Sequence, residues 1–158
     1  MPNVPFTHID ETHPALEFKT ERLLLRRFMP WEGSLLTELD SDPEVTRYIN
    51  DGAEPRPDLD AKAMDYFQSI YEQFPGLGFF AAHLRASGEY IGWFHFRPDR
   101  HQPEDVDLGY RLKRAHWGQG LASEGSRALL QHGFEQLNIQ TVVAYALRIT
   151  NIDPLQYD

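Results

Sequence analysis

Cysteine is absent from the 158-residue sequence, and this absence removes several kinds of chemistry at once. Without a thiol there is no disulfide, no thiolate nucleophile and no Cys-ligated metal, and nothing indicates an oxidising compartment. The histidines also lack the helical spacing with acids that is typical of metal sites, so we expect no metal. Any catalysis would depend on general acids, general bases and backbone groups.

Long apolar runs and clusters of basic residues are also missing. No stretch approaches the ~20 apolar residues of a membrane span, and the first residues lack the basic and apolar regions of a signal peptide. The net charge of −9 argues against a nucleic-acid partner, because contacts with a phosphate backbone need clustered Lys and Arg. We expect a cytoplasmic protein without a membrane partner. Its negative charge either keeps it soluble or attracts a cationic acceptor.

The apolar pattern predicts one α/β domain at residues 18–158 after a loosely held N-terminal arm at residues 1–17. Strands are predicted at 21–27, 79–84, 90–96, 106–112 and 141–147. Helices are predicted at about 31–40, 58–74 and 120–137, with a short turn opened by Pro43. An antiparallel meander followed by a strand–helix–strand crossover predicts a mixed, mostly antiparallel sheet flanked by helices.

Two of the predicted helices have an apolar face at helical spacing. In the helix at 58–74 the inward residues are predicted to be Leu59, Ala63, Phe67, Ile70 and Phe74. In the helix at 120–137 they are predicted to be Leu121, Leu129, Phe134 and Leu137.

The segment at 117–123, which reads Trp-Gly-Gln-Gly-Leu-Ala-Ser, carries the strongest functional signal. Gly118 and Gly120 lack a Cβ, so backbone N–H groups there can approach a ligand closely. The first N–H groups of the helix that follows have no intrahelical acceptor, and with the helix dipole they favour an anion such as a pyrophosphate. Lys113 and Arg114 are candidates for contacts with outer phosphates.

Taken alone, this turn indicates no more than a phosphate binder, and a purely structural turn is the better explanation of an isolated Gly-x-Gly. The Rossmann fingerprint needs a third glycine and the Walker pattern needs Gly-Lys-Ser/Thr, and the sequence has neither. A Gly-x-Ser-x-Gly elbow is absent too, which argues against a serine hydrolase.

Several segments together resemble the GNAT N-acetyltransferases, in the branch that includes the ribosomal-protein N-terminal (alanine and serine) acetyltransferases. The matching segments are 20–26, 42–49, 90–93, 108–110, 117–124 and 134–139. The resemblance runs from about residue 20 to residue 151 and implies a V-shaped sheet, split between the strands at 106–112 and 141–147. Acetyl-CoA would lie in that split.

The resemblance also implies how acetyl-CoA is held. Its pantetheine arm would pair with the strand at 106–112 and its pyrophosphate would lie on the glycine turn. Trp117 stands where many members of the family carry Gln or Arg, so the phosphate contact there would rest on backbone amides. The cofactor-binding residues implied in this way are Tyr110, Leu112, Arg114, Trp117, Gly118, Gln119, Gly120, Leu121, Ala122, Ser123 and Asn151.

The sequence departs from the family after Asn151. There the family continues with a helix and two closing strands, whereas this sequence has Pro154, which does not fit a helix interior, and ends at Asp158. We therefore expect a C-terminally truncated domain without the hydroxyl that usually protonates the CoA thiolate. The exposed edge of the strand at 141–147 would favour a homodimer.

The implied activity is acetyl transfer from acetyl-CoA to an amine, either a protein N-terminus or a small molecule, by direct attack in a ternary complex. Asp107 matches a family position often held by Glu and is the leading candidate for the general base. His95 on the neighbouring strand could titrate near neutrality. A solvated carboxylate and a packed histidine are the structural alternatives for these residues. The alternative function is a non-catalytic acyl-CoA-binding or inactive module.

Overall fold

A computed structural model describes residues 3–145 of the chain. Its strands are β1 (Leu16–Lys19), β2 (Leu23–Arg27), β3 (Gly78–Leu84), β4 (Tyr90–Pro98), β5 (Val106–Leu112) and β6 (Val142–Val143). Its helices are α1 (Gly33–Asp40), α2 (Pro43–Asn50), α3 (Pro57–Gln73) and α4 (Leu121–Gln136). No helix within residues 3–145 is long and apolar enough to span a bilayer.

The six strands form one sheet in the order in which they occur along the chain. Strands β1 to β5 are antiparallel to their neighbours, whereas β6 runs parallel to β5 and pairs with its first residues, Val106 and Asp107. The predicted mixed, mostly antiparallel sheet is confirmed. Strand β5 continues to Leu112 beyond this pairing, and residues 146–147 of the predicted last strand lie outside the described residues.

Helices cover both faces of the sheet. Helix α4 packs over a core that includes Phe80 and Phe94, and helices α1 and α3 pack over a second core that includes Phe79. Phe79 and Phe80 belong to different cores because successive side chains of a strand point to opposite faces. The run Leu23–Arg27 forms β2 and is apolar at its start, as expected for a strand covered on both faces.

Strand β4 contains an irregularity in its pairing with β3 next to Gly92. The extra residue reverses the alternation, so Ile91 and Phe94 belong to the same core although they are three positions apart. Gly92 has a φ of 144°, and a Cβ there would lie 2.2 Å from the carbonyl oxygen of Arg111. Glycine is therefore required for β4 to lie this close to β5.

Helix α4 lies close to the sheet because glycines face the rings of β4. A Cβ at Gly125 would lie 2.3 Å from the Phe94 ring, and one at Gly133 would lie 2.6 Å from the Phe96 ring. Leu121 and Leu129 were predicted to face inward, and both are buried. The prediction for Phe134 is wrong, since it is 47% exposed.

The predicted inward face of α3 is also partly wrong. Phe67 and Ile70 are buried, but Leu59 and Phe74, near the two ends of the helix, are exposed. Met64, which the pattern did not include, is fully buried and packs with Phe67 in the core beneath α1 and α3. Helix α3 packs against both α1 and β3.

The N-terminal residues 3–17 differ from the predicted loose arm. Ile9 donates its backbone N–H to the carbonyl of Gly88, and Thr7 accepts from the backbone N–H of Tyr90. Strand β1 begins at Leu16, so it crosses the predicted boundary between arm and domain. Backbone pairing of this kind leaves no periodic apolar signal, which is why the sequence pattern did not reveal it.

A buried ion pair between Arg26 and Glu32 fixes the same segment to the core. The guanidinium donates to both carboxylate oxygens, at 2.7 and 2.9 Å, and both side chains are fully buried. Arg26 Nε also donates to His83 Nε2 at 3.0 Å, and His83 Nδ1–H donates to the Gly88 carbonyl at 2.7 Å. Glu32 accepts the backbone N–H of Phe6 at 2.9 Å. The buried charges are thus paired and hydrogen-bonded, as their desolvation requires.

Candidate functional site

The glycine turn connects the end of β5 to α4. After a short 3-10 turn at Arg114–His116, Trp117 is extended, and α4 begins at Leu121. Gly118 and Gly120 have φ values of 72° and 78°. Residues with a Cβ rarely adopt this left-handed region, so the backbone itself requires glycine at both positions.

The turn leaves backbone N–H groups available to a ligand. No side chain caps the N-terminus of α4, whose N-cap residue is Gly120. The first N–H groups of the helix have no acceptor within the helix. A Cβ at Gly118 would meet nothing within 4 Å, so the space over the turn is open. This cradle at the positive end of the helix dipole fits an anion such as a pyrophosphate.

A cavity of about 570 Å³ opens beside the turn, between the end of β5, the start of α4 and helix α2. Most of the predicted cofactor-binding residues line it. These are Tyr110, Leu112, Trp117, Gly118, Gly120, Leu121, Ala122 and Ser123. Arg114 and Gln119 are not part of the lining, and Asn151 lies outside the described residues. His116 does line the cavity and was not predicted.

Helix α2 forms a wall of this cavity that the sequence did not predict. Its residues Val45, Tyr48 and Ile49 line the cavity, and Ile49 is 55% exposed. The helix forms here because Asp42 caps it by accepting the backbone N–H of Glu44, with a proline in the first turn. A largely apolar wall is typical of small-molecule sites.

Trp117 shapes the turn with its indole. Its Nε1–H donates to the carbonyl of Leu112 at 2.8 Å and so satisfies the last carbonyl of β5. The ring itself lines the cavity and is 43% exposed. The side chain therefore supports the backbone of the turn. The Trp117 backbone N–H itself donates to the Arg114 carbonyl at 3.1 Å, so a phosphate contact through amides would fall to the residues that follow.

The basic residues beside the turn are already paired with acids from α1 and from the loop before α2. The three ion pairs are Arg111–Asp40 at 2.8 Å, Lys113–Glu38 at 2.6 Å and Arg114–Asp42 at 3.1 Å. The Arg114 side chain is 59% exposed, so its ion pair is of the weak, solvent-screened kind. A phosphate contact by Arg114, as predicted, would require it to leave Asp42.

Asp107 and His95 contact each other, but neither lines this cavity. Asp107 Oδ2 lies 3.3 Å from His95 Nε2 and 3.3 Å from Arg97 Nη2. The His95 ring packs on Gly109, where a Cβ would lie 2.4 Å from it. Along β5, Asp107 is three residues, or about 10 Å, from the cavity-lining Tyr110.

The surroundings of these two residues set their protonation. Burial lowers the pKa of His95 below its ordinary value, and the contact with Asp107 offsets only part of that effect. For Asp107, burial raises the pKa, but His95 and Arg97 together outweigh burial and lower it. At neutral pH the pair is therefore a neutral imidazole beside a carboxylate.

Residues before and at the start of β2 hold the turn from the outside. Glu124, in the first turn of α4, accepts the Thr20 hydroxyl at 2.5 Å, the Arg22 backbone N–H at 2.8 Å and Arg22 Nε at 2.7 Å. Arg22 Nη1 donates to the carbonyl of Gln119 at 2.7 Å. Burial raises the pKa of Glu124, but these hydrogen bonds outweigh it and keep that pKa below its ordinary value. The sequence did not predict that these segments meet.

The fold and the site define an α/β domain with a cradle suited to an anion between a strand and a helix. No group of three or more metal-ligating side chains occurs among residues 3–145. A family model for the acetyltransferase (GNAT) domain matches residues 22–149, and the chain belongs to this family. The predicted GNAT membership and fold are thereby confirmed.

Relatives and solved structures agree with this assignment. The uncharacterized N-acetyltransferase p20 of Bacillus licheniformis is 35% identical over 127 residues, which cover 79% of this chain and 70% of p20. FsC-acetyl coenzyme A-N(2)-transacetylase of Aspergillus fumigatus is 27% identical over 71% of this chain, which spans only 50% of that protein. An acetyltransferase structure from Agrobacterium tumefaciens matches with a TM-score of 0.66 and 27% identity, covering 82% of this chain and 72% of its own.

The ribosomal L7/L12 alpha-N-protein acetyltransferase RimL, solved in complex with coenzyme A, is also similar. Its TM-score is 0.63 at 17% identity, over 79% of this chain and 71% of that one. At this identity the likeness concerns the fold alone.

Proposed function

We propose that this protein is an acetyl-CoA-dependent N-acetyltransferase that acts on an amine, either a protein N-terminus or a small molecule. The observation that carries the proposal is the glycine turn, with left-handed φ values at Gly118 and Gly120 beside an uncapped helix N-terminus and an open cavity. Bound acetyl-CoA would supply the acetyl group as a thioester.

The residues proposed to hold acetyl-CoA are the predicted ones. Tyr110 and Leu112 belong to the strand that borders the cavity, and the turn with the start of α4 would take the pyrophosphate. Arg114 would contribute after leaving Asp42. Asn151 remains part of the proposal from the family resemblance. The names of the relatives support the reaction class, since p20 is named an N-acetyltransferase and the Aspergillus fumigatus protein is named for acetyl coenzyme A.

For the acceptor, we propose that His95 and Asp107 share the removal of the amine proton. Because burial keeps His95 neutral at pH 7, its imidazole can accept the proton, while the neighbouring carboxylate stabilises the imidazolium that forms. Asp107 itself is the weaker base of the two, because its contacts favour the ionised form.

One observation favours a second candidate, a module that binds an acyl-CoA without catalysis. The Asp107 carboxylate is held by Arg97 and His95 in a mostly buried ion pair outside the cavity. An arrangement of this kind is also what a purely structural cross-strand pair would look like.

The activity can be tested by mixing the protein with acetyl-CoA and a panel of amines and N-terminal peptides. Free CoA is followed with a thiol reagent, to which the cysteine-free chain contributes no background. We expect CoA release with at least one acceptor. Calorimetric binding of CoA without release for any acceptor would favour the non-catalytic module. No binding at all would overturn both candidates.

A matched pair of glycine variants tests the turn itself. Gly120→Leu should abolish CoA binding, because a side chain there blocks close approach to the backbone. Gly76→Leu is the control, since Gly76 also has a positive φ of 91° but lies against His132 and Leu137 near the other end of α4. Unchanged affinity in Gly120→Leu would contradict the assignment of the turn.

A further inference from the structure

We infer that Arg22 is a positioning residue for the cofactor turn: it holds the peptide group between Gln119 and Gly120 so that the Gly120 N–H faces the ligand. The inference rests on the proposed function of the turn. It assigns a role in cofactor binding to a residue that is 97 positions away from the carbonyl it contacts.

Two hydrogen bonds, from Nε and from Nη1, hold the Arg22 guanidinium in place. Its Nε donates to Glu124 Oε1 at 2.7 Å, and its Nη1 donates to the Gln119 carbonyl at 2.7 Å. Glu124 is itself held by the Thr20 hydroxyl and by the backbone N–H of Arg22. Nη2 lies 3.4 Å from the position that a Cβ on Gly120 would take. The side chain therefore contacts the turn at two adjacent residues.

The planarity of the peptide bond turns this contact into a constraint on the ligand site. In a trans peptide the C=O and the following N–H point in opposite directions. A donor that holds the Gln119 carbonyl towards β2 therefore directs the Gly120 N–H away from β2. In the described part of the chain, the Gly120 N–H makes none of the backbone hydrogen bonds found outside the helices and strands. Because glycine follows this peptide, the peptide group rotates easily. A hydrogen bond from Arg22 to the Gln119 carbonyl fixes its orientation.

Arg27, the last residue of β2, provides a comparison that separates this role from that of an ordinary ion pair. Arg27 pairs with Glu17 at 3.0 Å, as Arg22 pairs with Glu124 at 2.7 Å, and both arginine side chains are 45% exposed. Exposed pairs of this kind stabilise a fold very little. Arg22 differs in that it also donates to a carbonyl of the turn.

The experiment compares Arg22→Met with the matched control Arg27→Met. The dissociation constant for CoA is measured by calorimetry at two salt concentrations, and a thermal melt checks that each variant is folded. We expect Arg22→Met to bind CoA about tenfold more weakly, the size of one hydrogen bond to a charged group. Arg27→Met should bind as the unchanged protein does. Because the loss is one of geometry, the salt dependence of binding should stay the same.

Arg22→Lys separates geometry from charge. Lysine keeps the charge but lacks the planar fork that contacts Glu124 and Gln119 together, so we expect no rescue. Recovery of binding in Arg22→Lys, or a weaker salt dependence in Arg22→Met, would mean that Arg22 acts as a charge and would overturn the inference.

The remaining outcomes separate the inference about Arg22 from the proposed function of the turn. Equal affinities of Arg22→Met and Arg27→Met would overturn the inference and leave the proposed function intact. Absence of CoA binding by the unchanged protein would overturn the proposed function instead. If Arg22→Met does not fold, Thr20→Val takes its place, since it removes one of the bonds that hold Glu124. We expect it to weaken binding about threefold, and unchanged affinity would count against the inference.

Discussion

Acid should weaken this fold through His83, which is fully buried beside the Arg26–Glu32 ion pair. Both of its ring nitrogens are used in the neutral form, because Nε2 accepts from Arg26 and Nδ1–H donates to the Gly88 carbonyl. Burial, with the nearby charge of Arg26, lowers the pKa of His83 from 6.5 to about 3.

The size of the effect follows from this difference in pKa. Between pH 6.5 and about pH 3 the unfolded chain binds a proton at His83 and the native chain does not. Stability therefore falls as the pH falls through this window. One pKa unit corresponds to about 1.4 kcal/mol, so acidification from about pH 7 to about pH 4.5 should remove ~2–3 kcal/mol of unfolding free energy through this residue.

The assay compares the unchanged protein with His83→Gln, whose amide both accepts and donates a hydrogen bond but does not titrate. Urea unfolding is followed by tryptophan fluorescence across that pH range. Between about pH 7 and about pH 4.5, the unfolding free energy of the unchanged protein should fall by ~2–3 kcal/mol more than that of the variant. This difference does not depend on how much stability the substitution itself removes at neutral pH. Contributions from the other titrating groups are common to both proteins and cancel. If the unfolding free energies of the two proteins fall in parallel as the pH falls, the conclusion that His83 is neutral in the native state is refuted.

Three further variants test the packing and the site. Gly125→Ala should lower the unfolding free energy by ~1–3 kcal/mol despite its better helix propensity, because its Cβ would lie 2.3 Å from the Phe94 ring; a gain in a urea melt would contradict this. Asp42→Asn keeps a cap for α2 but frees Arg114, so CoA should bind up to about fivefold more tightly at low salt, and calorimetry that shows no change would argue against the competition. His95→Gln should reduce kcat about 10²–10⁴-fold. In the unchanged enzyme the acidic limb of the kcat–pH profile should lie below pH 6.5, because burial lowers the pKa of His95, and an equal rate in the variant would exclude its role as base.

Features that depend on neighbouring residues were predictable. The strands at 79–84, 90–96 and 106–112 were found within two residues of their predicted ends, because short apolar and aromatic runs between turn residues have few alternatives. The glycine turn was recognised because a left-handed backbone almost requires glycine, and Gly118 and Gly120 have that conformation. The resemblance of this segment and five others then led to the family, which the comparison confirmed.

The places where prediction failed share a cause. Residues 3–17 pair through backbone groups that leave no side-chain pattern, so a held segment was predicted to be loose. Phe134 fits the apolar period of α4 but is exposed, whereas Gly125 and Gly133 lie on the inner face against the rings of Phe94 and Phe96. Periodicity reports that a face is apolar, and the shape of the opposing surface decides which residues fit it.

Local sequence was therefore enough to predict the central strands and the glycine turn, because each depends on conformational preferences of a few adjacent residues. Tertiary structure alone decided which distant residues meet: Arg22 with the Gln119 carbonyl, and His95 with Asp107. Such contacts depend on strand order, on register and on the bulge at Gly92. A shift of one residue in register would turn these side chains to the opposite face of the sheet, and no short pattern in the sequence specifies that register.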